Sequence, residues 1–297
     1  MPEHSDHLAV SVIIPVFNDL VGLKRCLKSL LRQSYAPEAF EVVVVDNGSS
    51  LPIGLDPSTY PFLLQVIVCH TPGSYAARNA GVGIARGRVL AFTDADCAPA
   101  SNWLAEGMRA LSLHDGGVVV GGNVVIREPE HRTPTGLYQY LTGFYQKENI
   151  VSSGFAVTAN LLCSKALFMR IGQFDERLFS GGDREWGARA QQFGAQLIYA
   201  EASMVETWPR TKLGAAIRQT RRTAAGRWMI RDLGLVRDPA SALAPHRSPV
   251  VAAIWILKHP RLSALEKVCV LIVAIVLKIT AWIEFARCRF GMSPERR

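Results

Sequence analysis

The chain has 297 residues, 49% of them hydrophobic and 20% charged, which excludes a disordered or fibrous protein and leaves room for one large domain with an appendage. Its net charge of +8 is unevenly placed: residues 1–206 carry 16 Lys+Arg against 20 Asp+Glu, and residues 207–297 carry 17 against 5. A basic tail on a mildly acidic body fits an anionic partner such as lipid headgroups or phosphates, and no nucleic acid is expected because the basic residues lie among apolar runs.

The first hundred residues alternate strand and helix patterns. "AVSVIIPVF" (9–17) is an apolar, β-branched run of the kind buried on both faces of a sheet, and Asn18 or Asp19 can cap the helix that follows. "FEVVVVDNGSS" (40–50) is a second strand ending in a turn, "LLQVIVCH" (63–70) a third, "SYAARNAGVGIARG" (74–87) a helix and "RVLAFTDAD" (88–96) a fourth strand. This order implies βαβ units in a mostly parallel sheet, whose ligands bind at the carboxyl ends of the strands. Asp46, Asp94 and Asp96 stand at such ends.

The next hundred residues are less regular. "GGVVVGGNVVI" (116–126) reads as a strand broken by glycines, and 154–178 as a strand or loop, a helix and a turn. "SGGDREWGARAQQFG" (180–194) becomes a helix with Asp183 at its start and Gly194 beyond its end. The six cysteines show no CxxC pairing, so reduced thiols are expected rather than disulfides or zinc ligands. The polar N-terminus does not have the pattern of a signal peptide.

Asp94 and Asp96 stand two apart at the end of an apolar strand. A solvated turn is one reading. The other is a Mg²⁺ or Mn²⁺ site, because residues two apart on an extended segment face the same way and such ions combine one or two carboxylates with phosphate oxygens. Asp183 and Glu185 open a helix, where acids are favoured by the dipole; a general base is the functional reading. Gly81, Gly83 and Gly87 follow a helical stretch and lack the dinucleotide spacing, and no Walker A or Gly-x-Ser-x-Gly sequence occurs.

Taken together, "VSVIIPVFN", "VVVVDNGSS", "ARNAG", "AFTDADCAP…NWL", "TANLLCSKALFMRIGQFDERL" and "GGDREWGAR" resemble the inverting family-2 glycosyltransferases of GT-A fold over residues 9–206. The resemblance implies an α/β catalytic domain over residues 1–206 and a nucleotide diphosphosugar donor, most often a UDP-sugar. Pro15, Val16 and Asn18 match the loop bordering the nucleoside, and Asp46 the acid that contacts base or ribose. Arg78 and Asn79 match a helix start flanking the nucleotide. Asp94 and Asp96 match the DxD motif, with Asp96 the direct metal ligand. Asp183 matches the catalytic base, with Glu185 supporting the loop or the acceptor. Two positions depart from the pattern: Gly182 stands where the family commonly has Glu, and Thr207 where a histidine often follows the last strand.

The expected activity is metal-dependent, inverting transfer of a sugar to a hydroxyl of a polysaccharide or lipid-linked acceptor. A sugar nucleotidyltransferase would need a glycine-rich, basic loop after the first strand, and "PVFNDL" is not one. A non-catalytic, membrane-bound nucleotide-sugar-binding protein is the other alternative, against which the retained acids speak. Residues 207–297 read as a basic, partly apolar helical extension. "PVVAAIWIL" (249–257) is too short to span a bilayer, and 268–286 is barely long enough and carries Lys278 and Glu284. Lys267 and Lys278 fall nearly on one line of a helix, as on the polar edge of an interfacial helix. Arg218, Arg221, Arg222 and Arg227 are expected to face an anionic leaflet. Peripheral or shallow attachment to the cytoplasmic face of the membrane follows as the expectation.

Overall fold

The β-branched runs at the start of the chain become strands whose side chains find cover on both faces. In the computed structural model, which describes residues 8–114, 117–235 and 249–293, β1 (Val10–Val16) and β2 (Phe40–Asp46) are buried throughout. With β3 (Leu63–Val68) and β4 (Val89–Thr93) they form a parallel set ordered β3-β2-β1-β4. Val10, Val12, Ile14 and Val16 pack in one layer with Leu23, Leu27 and Leu30 of α1 (Leu20–Leu30). Ile13 packs in the other with Val43, Val45 and Val82 of α2 (Ser74–Ile84). Each fully buried aliphatic side chain contributes about 1.5–3 kcal/mol, so these two layers dominate the stability of the half. β3 is the edge strand and exposes Leu63, Val66 and Val68.

A buried acid is accommodated inside this half. Glu41 accepts hydrogen bonds from the Ser11 hydroxyl at 2.6 Å and the Gln65 amide at 2.8 Å, which replace the water it loses. Gly81 in α2 and Gly87 just beyond it serve close packing. A Cβ at Gly87 would lie 2.5 Å from the backbone nitrogen of Ser11, so the chain passes directly over β1.

Beyond β4 follow β5 (Cys97–Pro99), α3 (Trp103–Ser112), β6 (Val118–Ile126), α4 (Pro134–Thr142), α5 (Gln146–Ser153), β7 (Asn160–Ser164), α6 (Lys165–Ile171), α7 (Gly182–Gln192) and β8 (Gln196–Thr207). The full sheet runs β3-β2-β1-β4-β7-β6-β8-β5. The expected parallel arrangement describes its first half; β7 then runs antiparallel to β4 and β6, and β5 antiparallel to β8, so the whole sheet is mixed. β6 is one continuous strand despite its glycines, because β8 takes the irregularity: the register jumps between Gly122 and Asn123. Asn160 mends the gap, its amide donating at 2.9 Å to the carbonyls of Asn123 and Ser203. A Cβ at Gly122 would meet that amide at 2.3 Å, which is why glycine stands there.

The extension forms α8 (Leu213–Asp232), α9 (Pro249–Lys258) and α10 (Ala264–Arg289). Ser263 and Glu266 close a capping box at the start of α10. Val270 packs with Leu137 of α4 and with Ile256 and Leu262, while Val273 and Leu277 pack with Ala216 of α8. Glu284 is buried between Arg221 at 2.9 Å and Arg287 at 2.6 Å. Ala216 thus meets Leu277 and Arg221 meets Glu284, so α8 and α10 run in the same direction. Arg132 ties α10 to the loop before α4 through Glu266 at 2.7 Å.

Candidate active site

The parallel strands end on one side of the sheet, and the acids singled out in the sequence gather there. β4 stops at Thr93, so Asp94 and Asp96 do not lie on an extended segment as expected; the Cys97 N–H donates to the Asp94 carbonyl at 3.0 Å and closes a turn. The turn still converges the two side chains. Carboxylate oxygens of Asp94 and Asp96 and the Cys97 sulfur lie within 4.8 Å of one another. Two half-buried carboxylates suit a hard divalent cation, which prefers oxygen and fills its shell with phosphate or water. Cys97 does not suit it, since burial holds the thiol well above its usual range and keeps it protonated. Asp96 is itself raised, first by enclosure in the protein and then by Asp94, while Arg210 opposes the shift. A cation between the two acids would relieve that repulsion.

Three arginines surround the pair. Arg78 of α2, almost fully buried, forms a salt bridge with Asp94. Arg210, just after β8, approaches Asp96 at 3.7 Å. Arg222 of α8 has its Nε buried without a hydrogen-bond partner among the described residues. Burial lowers the pKa of Arg222 below the usual arginine value, and neighbouring Arg210 adds to this. Thr207, in place of the family's histidine, donates its hydroxyl to the Asp96 carbonyl at 3.1 Å and steadies the turn.

Two clefts meet here. The smaller, about 770 Å³, lies over the strand ends and is lined by Pro15, Val16, Asn47, Gly73, Arg78 and Phe179. The larger, about 1350 Å³, opens between α4, α8 and α10. Asp94, Asp96, Arg210 and Arg222 line both, so four charged groups form the boundary between them.

Asp183 lies in the first turn of α7, close enough to Arg78 and Asp94 to feel both charges. Its carboxylate accepts the Arg184 N–H at 2.9 Å and the Tyr75 hydroxyl at 3.3 Å. Its pKa is raised, chiefly by burial; the Arg184 N–H, Arg78 and Tyr75 pull against this. Tyr75 also accounts for Gly182. A Cβ at position 182 would come 2.7 Å from the tyrosine ring, so the family's glutamate has no room beside it. α7 is held by an aromatic cluster in which Trp186 stacks on Phe168 at 5.3 Å and Phe174 meets Tyr75 at 5.5 Å.

Other residues singled out in the sequence sit in supporting positions. Both oxygens of buried Glu185 are engaged by Arg189, at 2.6 and 2.8 Å, and neither Glu185 nor Asp183 is among the residues lining the two clefts. Asn79 donates to the Phe174 carbonyl at 2.9 Å and accepts the Phe174 N–H at 3.0 Å, fastening the loop before α7. Asp46 accepts the Ser49 N–H at 2.9 Å. Asn18, at φ 52°, bridges to the same turn through Ser49 and Ser50, and Asp19 rather than Asn18 caps α1. Arg221 and Arg222 do not form the outward-facing patch expected of them: one is paired with Glu284 and the other lines both clefts. Asn47, Tyr75 and Arg210 were not singled out in the sequence. Asn47 bonds the carbonyls of Cys69 and Thr71 and the Gly73 N–H, setting the start of α2.

Comparison with known proteins bears on the family and the fold. The model of the family described as "Glycosyl transferase family 2" matches residues 11–172. "Glycosyltransferase AglE" of Haloferax volcanii is 36% identical over 241 residues, 79% of each chain. A "Pre-mycofactocin glycosyltransferase" of Mycobacterium tuberculosis is 30% identical over 224 residues, covering 71% of this chain and 45% of that protein. The mannosyltransferase PcManGT from Pyrobaculum calidifontis, solved in complex with GDP-Man and Mn²⁺, superposes with a TM-score of 0.58 at 21% identity, over 98% of this chain and 81% of that one. That likeness is one of fold. With the family's model spanning more than half of its residues and a relative matching most of its length, this chain belongs to glycosyl transferase family 2 and is a glycosyltransferase of GT-A fold.

Proposed function

We propose that this glycosyltransferase moves a sugar, with inversion, from a UDP-sugar to a hydroxyl of a carbohydrate or lipid-linked acceptor, using Mg²⁺ or Mn²⁺ at the cytoplasmic face of a membrane. The observation that carries the reading is the shared boundary of the two clefts, where Asp94, Asp96, Arg210 and Arg222 stand between a strand-end cleft and a helix-walled one. The smaller cleft takes the nucleotide, and its diphosphate lies toward the shared charges. Asp94 and Asp96 would hold the cation, which when bound supplies positive charge to the diphosphate leaving group. Arg210 and Arg222 add fixed positive charge on the same side. Arg78 keeps Asp94 oriented.

Asp183 accepts the proton of the attacking hydroxyl at its carboxylate. Its raised pKa makes it a stronger base than a solvated aspartate. A single base acting opposite the leaving group would give direct displacement and inversion. Glu185, locked to Arg189, positions the helix that carries this base.

α10 supports membrane attachment. It is 26 residues long and, among the described residues, the one helix long and apolar enough to cross a bilayer. Its packed face meets α4 and α8, so it cannot be ringed by lipid. Leu265, Val268, Ile272, Ile275, Ile279 and Trp282 recur every three or four residues along the other face and are exposed. Such a helix lies in the interface plane. Incubating the full chain with UDP- and GDP-sugars, an oligosaccharide acceptor and Mn²⁺ or chelator tests the reaction. Transfer from a UDP-sugar that stops with chelator and gives the inverted anomer is the expected result; the retained anomer, or undiminished transfer in chelator, contradicts it.

A further inference from the structure

Two arginines answer the two acids at the boundary, and they are held in different ways. Arg78, with 4% of its side chain exposed, is locked on Asp94 from within α2. Arg210 has 35% of its side chain exposed and stops 3.7 Å from Asp96, beyond hydrogen-bond length. Its backbone, by contrast, is pinned. The Arg210 N–H donates to the Gln139 side chain at 2.8 Å, and the Gln139 amide donates to Gln219 at 2.8 Å, so α4 and α8 grip the same point. Two residues earlier, the Trp208 ring lies under the Arg25 guanidinium at 3.8 Å, with that of Arg127 at 5.4 Å. The pivot of Arg210 is fixed while its charged end can change partners. A second partner has a place prepared. Arg222 lines the same two clefts, its Nε is buried with no hydrogen-bond partner among the described residues, and Arg210 is near enough to depress its pKa. Two like charges facing one opening make a seat for an anion.

We infer that Arg210 is an exchangeable counter-charge, pairing either with Asp96 or with the donor's diphosphate beside Arg222, and that Gln139 is the positioning residue that fixes its pivot. The exchange couples the two ligands. A divalent cation needs Asp96 and is repelled by a guanidinium already paired there. The diphosphate draws that guanidinium away and leaves the carboxylate to the cation. An immobile arginine would give no such coupling, since it would repel the cation equally with and without nucleotide. The charge of Arg210 is permanent; only its partner changes. Arg78 cannot play this part, because its guanidinium is sealed against Asp94. The inference deepens the proposed donor site and rests on the reading of Asp94 and Asp96 as cation ligands.

The test is binding of Mn²⁺ to the full chain, followed by the paramagnetic resonance of the free ion, with and without saturating UDP. Wild type should bind Mn²⁺ about tenfold or more tightly with UDP than without it. Arg210→Gln should bind Mn²⁺ alone about fivefold more tightly than wild type, because the competitor for Asp96 is gone. With UDP present its Mn²⁺ affinity should stay within about twofold of wild type, while its UDP affinity in Mn²⁺ falls about fivefold. Simple damage to the site would weaken both ligands together. Arg210→Lys should restore most of the coupling, and Gln139→Leu, which keeps the charge and loosens the pivot, should lose part of it. An unfolding midpoint close to that of wild type, measured without ligands, shows each variant to be folded; Arg210→Met replaces Arg210→Gln if the latter is not. Unchanged or weaker binding of Mn²⁺ alone by the folded uncharged variant, or undiminished coupling in it, would overturn the inference. Failure of wild type to bind Mn²⁺ even with UDP would instead overturn the cation reading on which it rests.

Discussion

The two clefts that meet at Asp94 and Asp96 are made in opposite ways. The smaller one is framed by the ends of β1, β2 and β4 and the start of α2, so most of its groups come from the first hundred residues, held by bonds such as Asn47 to the Gly73 N–H at 2.7 Å, with Phe179, Arg210 and Arg222 closing it from later in the chain. The larger one takes its walls from α4, α8 and α10, which lie up to about 150 residues apart in the chain and meet through apolar clusters and ion pairs. Strand ends in a buried sheet cannot shift without disturbing the core, and they suit a ligand part common to many reactions. Helices added to one edge can change their outer residues freely. The difference teaches where to look for chemistry and where for acceptor choice.

Removing a charged group from the boundary should have the largest effect, because both clefts depend on it. Asp96→Ala should lower kcat by about 10³-fold or more, measured by sugar transfer at saturating donor. Asp183→Asn should separate chemistry from donor binding: transfer falls by about 10²–10⁴-fold while the dissociation constant for UDP with Mn²⁺ stays within about twofold. A variant that loses donor affinity as well would place Asp183 in the donor cleft.

Glu185→Gln sharpens the contrast from the other side. It breaks the pair with Arg189, whose guanidinium is partly exposed, so the cost should be about 1–3 kcal/mol in urea unfolding rather than the full value for a sealed pair. The residual folded enzyme should retain an Asp183-dependent rate. If Glu185→Gln is folded but inactive and Asp183→Asn active, the two acids have exchanged roles. The smallest effect is expected for Tyr75→Phe. Asp183 must be ionised to accept a proton, so kcat/KM falls as pH drops through its raised pKa, above the ordinary 3.8. The tyrosine hydroxyl favours the charged form, so its removal should move the acid limb of the pH profile to higher pH. A limb that moves to lower pH would contradict the hydrogen bond seen at 3.3 Å.

Legibility in the sequence followed the same division. The parallel strands were readable because a strand buried on both faces needs an unbroken β-branched run, and Val42 to Val45 supply one. The paired acids were readable as well, though not their turn, since the break after Thr93 depends on the partner strands rather than on local residues. β6 looked broken at Gly121 and Gly122, yet its partner carries the irregularity, which only the pairing decides. The charge count located a basic tail but gave its arginines one destination. Arg221 and Arg222 are neighbours in sequence and about 100° apart around α8, so one reaches Glu284 and the other the clefts. Glu185 with Arg189 was a visible i,i+4 pair, a signal for a structural role. Tyr75 left a fainter trace: a glycine at 182 where a glutamate was expected.

The central claim is that the strand-end cleft binds a nucleoside diphosphate through a cation held at Asp94 and Asp96. Its most direct test is the thermal stability of wild type and Asp96→Ala with UDP, with Mn²⁺, and with both together. A ligand that binds only the folded state at a hundred times its dissociation constant stabilises it by about 2.7 kcal/mol, a shift easily read in the unfolding midpoint. The account predicts a rise in wild type that needs UDP and Mn²⁺ together and is lost in Asp96→Ala. An equal rise in Asp96→Ala, or a rise with UDP that is indifferent to the metal, would contradict it.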